Sequence, residues 1–195
     1  MELIFATHNI HKAEEIRAVL DDRFRIITLD EAGLTEEIPE PFDTLRENAT
    51  AKSRYVFERT GKDCFSEDTG LEVDALNGAP GVRSARYAGE GVSFEDNMDK
   101  LLRELQGISR REARFRTVIS LVNGGREYFF EGTCEGRIGL ERKGSKGFGY
   151  DPVFYPENSE RSFAEMELRE KSAISHRGRA VEKLVTFLNN LITNR

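Results

Sequence analysis

The strongest constraint on the fold is a long alternating segment that ends in a tight turn. The turn consists of Asn123, Gly124 and Gly125, and it leads into a second strand-like segment over residues 126–131. Alternation is typical of a β-strand, and a short turn of this composition joins antiparallel neighbours. The sequence therefore predicts a central hairpin whose first strand, residues 113–122, turns one face inward: Ala113, Phe115, Thr117, Ile119 and Leu121.

The first thirty residues predict parallel pairing instead. Residues 3–6 form a short apolar strand, residues 12–20 carry apolar side chains at helical spacing, and residues 25–29 form another strand. A strand, a helix and a strand in this order imply that the two strands lie parallel. Together with the hairpin, this predicts an α/β fold with a mixed central sheet flanked by helices, in a single domain over residues 1–195.

End signals mark the remaining segments. Thr44 and Glu47 match a capping box, and Gly61 supplies a stop, which predicts a helix over residues 44–60. The same signals predict a helix that begins at Ser93 and a last helix over residues 179–192. Short strands are predicted over residues 64–66 and 71–73, on either side of an acidic turn at 67–70. Residues 30–43 and 141–149 are predicted to be exposed loops.

Overall charge argues against a general nucleic-acid-binding protein. The formal net charge is −6, whereas such proteins carry a dominant basic field. Cys64 and Cys134 lack metal-ligand spacing and fit reduced thiols. No signal segment precedes the first strand, and no run approaches the ~20 apolar residues of a membrane helix. We expect a cytoplasmic protein without nucleic-acid or membrane partners.

Cations collect where the last predicted helix begins, among them Lys171, His176 and Arg177. A helix N-terminus already carries about half a positive charge, so basic side chains there cost free energy unless an anion or electron-rich ligand lies beside them. A binding site is one hypothesis. The alternative is that Arg177 ties the helix to the body of the protein.

Two further segments have the chemistry of a phosphate site. Residues 7–12 join a strand to a helix, where backbone N–H groups and Lys12 suit a phosphate. Glu67 and Asp68 are adjacent carboxylates, whose repulsion a nearby cation would relieve. Because Mg²⁺ takes one or two protein carboxylates beside phosphate and water, Asp68 is a candidate magnesium ligand.

Four segments together, residues 7–12, 67–70, 148–152 and 171–180, resemble the inosine triphosphate pyrophosphatase family. The resemblance runs from Leu3 to about Ile192. It implies two lobes with a substrate cleft between them, a homodimer, and Mg²⁺ as cofactor. It also implies hydrolysis of deaminated purine nucleoside triphosphates (ITP, dITP and XTP) to the monophosphate and pyrophosphate, which would clear them from the nucleotide pool.

The resemblance also implies roles for single residues. Asp68 would be the proton acceptor and, with Glu40, a magnesium ligand, while Lys12 and Lys52 would stabilise the leaving pyrophosphate. Donors between residues 171 and 177 would accept a 6-oxo purine and reject adenine. The substrate-binding residues that it implies are Thr7, His8, Asn9, Ile10, His11, Lys12, Thr69, Phe148, Gly149, Tyr150, Asp151, Lys171, His176 and Arg177.

Several alternatives stay open at this level. Glu47 is a possible third metal ligand, although the capping box accounts for it equally well. The protein could be a related pyrophosphatase that prefers modified pyrimidines, or a nucleotide sensor without activity. It could also be an RNA-binding module that uses the basic loop over residues 141–149.

Overall fold

A mixed β-sheet forms the centre of the protein. The computed structural model describes residues 1–20 and 23–193, so residues 21–22 and 194–195 of the expected domain lie outside the described part. The sheet has the order β2-β1-β3-β5-β6-β7, with β4 added beside β3. Its strands are β1 (Glu2–Phe5), β2 (Arg25–Thr28), β3 (Cys64–Val73), β4 (Pro80–Gly81), β5 (Glu112–Asn123), β6 (Arg126–Ile138) and β7 (Phe154–Pro156).

The direction of the strands confirms the predicted mixed sheet. Strand β1 pairs in parallel with both β2 and β3. All pairings of β4, β5, β6 and β7 are antiparallel, and β5 and β6 form the predicted hairpin. The expected division into two lobes stays a prediction.

Five α-helices flank the sheet in the described residues: α1 (Ile10–Arg17), α2 (Leu45–Thr60), α3 (Phe94–Glu104), α4 (Leu168–Ile174) and α5 (His176–Thr193). Helix α2 confirms its predicted caps, because the Thr44 hydroxyl accepts from the Glu47 N–H at 3.1 Å and Gly61 ends the helix at φ +64°. Helix α3 begins after Ser93 with a capping box, as predicted.

Several helix boundaries and one whole helix differ from the predictions; helix α1, for example, ends at Arg17 rather than residue 20. Helix α1 begins at Ile10 rather than residue 12, because the Asn9 side chain caps it by accepting from the Lys12 N–H at 3.2 Å. Helix α5 begins at His176 rather than residue 179, because the Ser175 hydroxyl accepts from the Gly178 N–H at 3.0 Å. Helix α4 was not predicted.

The prediction of an acidic turn at residues 67–70 was wrong. These residues lie inside β3, which pairs with β5 without interruption from Cys64, opposite Val122, to Val73, opposite Ala113. Gly70 is needed for a different reason, since a Cβ there would lie 2.7 Å from the Gly81 carbonyl oxygen of β4. Glycine here permits close approach of two backbones, not a turn.

Strand β5 is covered on both faces along most of its length. Its residues alternate in burial as far as Arg116 and are all buried from Thr117 onward. Side chains of Ile119 and Leu121 pack with Leu3, Phe5 and Leu184, so β1 and α5 meet over the middle of the sheet. This central position explains why the hairpin dominates the sequence pattern.

Strand β6 continues well past the predicted residue 131, to Ile138. Its second half pairs with β7, a partner that local sequence does not reveal. Helix α5 lies directly on the strand at Gly132, where a Cβ would come within 2.0 Å of the His176 carbonyl oxygen and 2.6 Å of the Ala180 nitrogen.

The segments over residues 30–43 and 141–149 contain neither helix nor strand and are mostly exposed, as predicted. Among the described residues, no helix is long and apolar enough to span a membrane.

We expect Gly132→Ala to destabilise the protein by about 1–3 kcal/mol, because the added methyl group overlaps rigid helix backbone. Thermal or denaturant unfolding measures the change. Thr133→Ala, at the next position of the same strand, is the matched control and should cost less. Equal unfolding midpoints for Gly132→Ala and the wild type would contradict this close packing of α5 on β6.

Candidate functional site

A small cavity brings together most of the residues that the sequence singled out. Its volume is about 120 Å³, below the roughly 300–1,000 Å³ typical of ligand pockets. Of the predicted site residues, the following line it: Asn9, Lys12, Glu40, Asp68, Thr69, Phe148, Gly149, Tyr150, Asp151, Lys171, His176 and Arg177. Thr7, His8, Ile10, His11 and Lys52 do not line it.

Arg177, in the first turn of α5, lies at the centre of a buried ion-pair cluster. Its Nε and one terminal nitrogen donate to the two carboxylate oxygens of Glu67, each at 2.8 Å. Its other terminal nitrogen donates to Glu15 of α1. The guanidinium and the Glu67 carboxylate are almost completely buried. Arg177 therefore ties α5 to β3 and α1, as the second hypothesis for this residue held.

Lys171 of α4 extends the same cluster. Its ammonium donates to Glu15 at 2.6 Å and to Asp151 at 2.5 Å. Lys12 adds a cation beside Glu67, with its Nζ 3.2 Å from the carboxylate. The cations at the start of the last helices are thus balanced by the protein's own carboxylates, which the sequence alone did not indicate.

The two carboxylates expected to hold a metal converge on one ammonium group. Lys52 of α2 donates to the Glu40 carboxylate, and its Nζ lies 3.7 Å from an Asp68 carboxylate oxygen. The third contact of the ammonium is the Glu67 carbonyl oxygen at 2.7 Å. Glu40 comes from the loop over residues 30–43 and Asp68 from β3, so only the fold brings them together.

Glu67 and Asp68 have opposite electrostatic environments although they are neighbours in sequence. Burial alone would raise the pKa of Glu67, but Arg177 and Lys12 hold that pKa below its ordinary value. Burial raises the pKa of Asp68 above its ordinary value, despite Lys52 and Lys12. Because successive side chains of a strand point to opposite faces, each carboxylate has a main cationic partner of its own, Arg177 for Glu67 and Lys52 for Asp68, while Lys12 acts on both.

His176 is a neutral imidazole in the cavity wall. Burial, together with Arg177 and Lys171, holds its pKa well below the ordinary 6.5. The ring stacks on Phe115, with ring centroids 4.5 Å apart, and its Nδ1 has no hydrogen-bond partner among the residues that the structure describes. A buried ring nitrogen without a partner costs free energy, so a ligand atom that bonds to it would be favoured.

The two aromatic side chains expected to bind the substrate, Phe148 and Tyr150, differ in burial and in their contacts. Tyr150 is buried, and its hydroxyl donates to the Ser84 carbonyl oxygen at 2.9 Å. Phe148 is half-buried and lies against His11, with centroids 5.3 Å apart. Phe94 is near the same ring, at 6.0 Å. The Phe94 side chain is exposed and lines the cavity.

Residues 7–12 are divided between two surroundings. Asn9 and Lys12 face the cavity, whereas His8 bonds outside it, with Nδ1 2.8 Å from Asp30 and Nε2 3.1 Å from the Glu36 carbonyl oxygen. Ile10 is exposed. The predicted phosphate contacts of this segment stay predictions, as do the roles of the other site residues.

Some residues around the cavity were missed by sequence reasoning. Glu15 lies one helical turn after Lys12 on α1, a spacing that could have placed the two together. Arg86 donates to the Glu40 carbonyl oxygen at 3.1 Å, and no sequence signal connects these two residues. Glu47 bonds to Thr44 in the exposed first turn of α2 and is absent from the cavity wall, so capping accounts for it.

Comparison with known proteins gives matches over nearly the whole chain. The sequence model of the Ham1 family matches residues 3–187. The dITP/XTP pyrophosphatase of Porphyromonas gingivalis is 53% identical, covering 96% of this chain and 97% of that protein. The dITP/XTP pyrophosphatase of Flavobacterium johnsoniae is 48% identical, covering 96% and 98%.

Solved structures also match over nearly the whole chain. The Ham1 protein of Staphylococcus aureus superposes with a TM-score of 0.88 at 36% identity, covering 97% of this chain and 99% of that chain. A HAM1 protein from Coxiella burnetii gives a TM-score of 0.89 at 38% identity, with the same coverage.

The neutral state of His176 predicts a pH-dependent stability. Below about pH 6.5 the unfolded chain binds a proton at this residue and the folded protein does not, so the free energy of unfolding falls by about 1.4 kcal/mol per pH unit. His176→Phe should lose this slope between about pH 6.5 and 5, above the range in which most carboxylates titrate. Denaturant unfolding at several pH values measures both proteins, and identical slopes would contradict a buried neutral imidazole.

Proposed function

The chain belongs to the Ham1 family, and we propose that it hydrolyses deaminated purine nucleoside triphosphates (ITP, dITP and XTP) to the monophosphate and pyrophosphate. The activity in the names of its relatives supports this proposal. The structural observation that carries it is one cavity lined both by Asp68 and Glu40 and by His176 and Phe148. The carboxylates suit the phosphate chemistry, and the rings suit a purine.

Base selection would depend on the groups around His176. The purine ring would stack on Phe148, and the unpartnered Nδ1 of His176 would gain a hydrogen bond from the base. Lys171 has three N–H groups for two carboxylate partners and Arg177 has five for four bonds, so one N–H of each would be left to bond to the 6-oxo group. Adenine carries an amino group there and would leave such donors unpaired, at a cost of about 1–3 kcal/mol for each buried group.

The charge balance of the site supports a divalent cation. Around the cavity five cations already face five carboxylates: Lys12, Lys52, Arg86, Lys171 and Arg177 against Glu15, Glu40, Glu67, Asp68 and Asp151. A triphosphate adds several negative charges, which this balanced set does not neutralise.

Glu40 and Asp68 fit a magnesium site, because both carboxylates already converge on one cationic atom, the Lys52 Nζ. No group of three or more His, Cys, Asp or Glu side chains that could hold a metal occurs among residues 1–20 and 23–193. A site of two carboxylates that is completed by phosphate and water is the arrangement typical of Mg²⁺. When bound, the ion would neutralise phosphate oxygens and polarise the phosphorus under attack.

The reaction we propose is attack of water on the α-phosphorus. Asp68 accepts the proton of the water as the new P–O bond forms, and the bond to the bridging oxygen breaks to release pyrophosphate. The burial that raises the pKa of Asp68 makes it a stronger base than an exposed carboxylate. Lys12 and Lys52 stabilise the charge that develops on the leaving pyrophosphate.

The resemblance also supports a cytoplasmic homodimer. An RNA-binding role for residues 141–149 is less well supported, because the basic side chains of this loop contact acidic ones. Lys143 lies 3.7 Å from Glu141, while Arg142 and Lys146 pair with Asp99 and Glu167.

The experiment that tests the proposal is a substrate panel assayed for pyrophosphate release. We expect ITP, dITP and XTP to be hydrolysed with a kcat/KM about ten- to a hundredfold above that for ATP, the range for one unpaired buried donor. Excess EDTA should abolish the activity. Preference for thymidine triphosphate would indicate a pyrimidine-directed enzyme, and binding without turnover would indicate a sensor.

We expect Asp68→Asn to lower kcat for ITP by about 10²–10⁴-fold, the usual contribution of a general base, while the fold is retained. The control is Asp74→Asn. Asp74 directly follows the last residue of β3, its carboxylate lies 3.1 Å from Arg114, and the variant should keep near-normal turnover. Single-turnover kinetics and circular dichroism separate chemistry from unfolding. Turnover of Asp68→Asn within about threefold of the wild type would exclude Asp68 as the base.

A further inference from the structure

Asn48, in the first part of α2, is a completely buried polar side chain that touches both halves of the expected metal site. Its amide oxygen accepts from the Phe42 N–H at 3.0 Å, and its amide nitrogen donates to the Phe42 carbonyl oxygen at 3.1 Å. The same nitrogen donates to an Asp68 carboxylate oxygen at 3.3 Å. One side chain therefore connects the loop that carries Glu40 to the strand that carries Asp68.

The loop needs such an anchor because it has no regular backbone pairing. Residues 30–43 form neither helix nor strand, and Glu40 lies two positions before Phe42. Asp68, by contrast, is fixed by the pairing of β3 with β5. The distance between the Glu40 and Asp68 carboxylates therefore depends on side chains that contact the loop. Asn48 supplies two hydrogen bonds to the loop backbone, both at Phe42.

Helix stability does not explain this residue. Asparagine is a poorer helix former than alanine by roughly 0.5–0.7 kcal/mol, and a buried amide costs more unless its hydrogen bonds are made. Asn48 therefore owes its place in α2 to the groups around it, and those groups are the loop and Asp68.

We propose that Asn48 is a positioning residue, which holds Glu40 against Asp68 so that both carboxylates bind one divalent cation. This inference rests on the function proposed above. Groups that hydrogen-bond to metal ligands or orient them typically change metal affinity or activity by 10–100-fold when they are removed.

The first test removes the amide. Asn48→Ala should weaken binding of Mn²⁺, a paramagnetic substitute for Mg²⁺, by about tenfold or more. Electron paramagnetic resonance measures the free Mn²⁺ in the absence of substrate. The Mg²⁺ concentration for half-maximal ITP hydrolysis should rise in parallel. Asn123→Ala is the matched control, because Asn123 is another nearly buried amide, bonded to Asp63. Asn123 lies five residues along β5 from Val118, the residue paired with Asp68. Five residues of strand span about 17 Å, so the control is well separated from Asp68.

The second test leaves the Asn48 side chain in place and removes one of its hydrogen-bond partners instead. It can therefore be carried out even where Asn48→Ala fails to fold. Phe42→Pro deletes the backbone N–H that donates to the Asn48 amide oxygen. Phe42→Ala removes only an exposed ring and keeps this N–H. We expect Phe42→Pro to weaken Mn²⁺ binding several-fold and Phe42→Ala to bind as the wild type does.

The outcomes separate this inference from its premise. Mn²⁺ affinity within twofold of the wild type in folded Asn48→Ala, or in Phe42→Pro, would overturn the role of Asn48 and leave the proposed function intact. A wild-type protein that binds no Mn²⁺ and hydrolyses ITP in excess EDTA would overturn the metal site itself, and the role of Asn48 with it.

Discussion

The buried guanidinium of Arg177 is the interaction on which the rest of the site depends. Through Glu67 and Glu15 it connects α5, β3 and α1, and through Glu15 it reaches Lys171 of α4. Breaking such a pair leaves a charge uncompensated in the interior, which costs about 3–5 kcal/mol. The four elements that contribute the cluster also contribute six of the residues that line the cavity: Lys12, Asp68, Thr69, Lys171, His176 and Arg177. Fold stability and the shape of the site are therefore coupled.

The cluster also explains how neighbouring acidic residues can have different tasks. Glu67 is held ionised by Arg177 and Lys12, and its carboxylate is part of the interior. Asp68 points to the other face of the strand, where burial raises its pKa and leaves it available as a base. Two carboxylates in different surroundings with separated pKa values are the usual sign of divided roles in a catalytic site.

The loop that carries Glu40 is held in place by different interactions from those that hold the strand carrying Asp68. Its position comes from contacts to Asn48, Lys52 and Arg86, which belong to other parts of the chain. A ligand carboxylate on a loop can move with the loop, whereas Asp68 moves only with the sheet. The two halves of the expected metal site are thus held in different ways, Asp68 by backbone pairing and Glu40 by side-chain contacts to its loop.

Sequence by itself determined the elements whose signals are local. The hairpin of β5 and β6, the caps of α2 and the start of α3 follow from alternation and from the residues at their ends, because these features depend on neighbours within a few positions. Local chemistry singled out Lys12, Asp68 and the cations at residues 171–177, the resemblance added the other residues of the site, and most of this set lines one cavity. Only the tertiary structure decided that residues 67–70 are strand, because their partners on β5 lie some fifty positions away. It also decided that Arg177 faces Glu67 and Glu15, and that Asn48 joins Phe42 to Asp68, since charges and hydrogen bonds between distant segments leave no periodic signal in the chain.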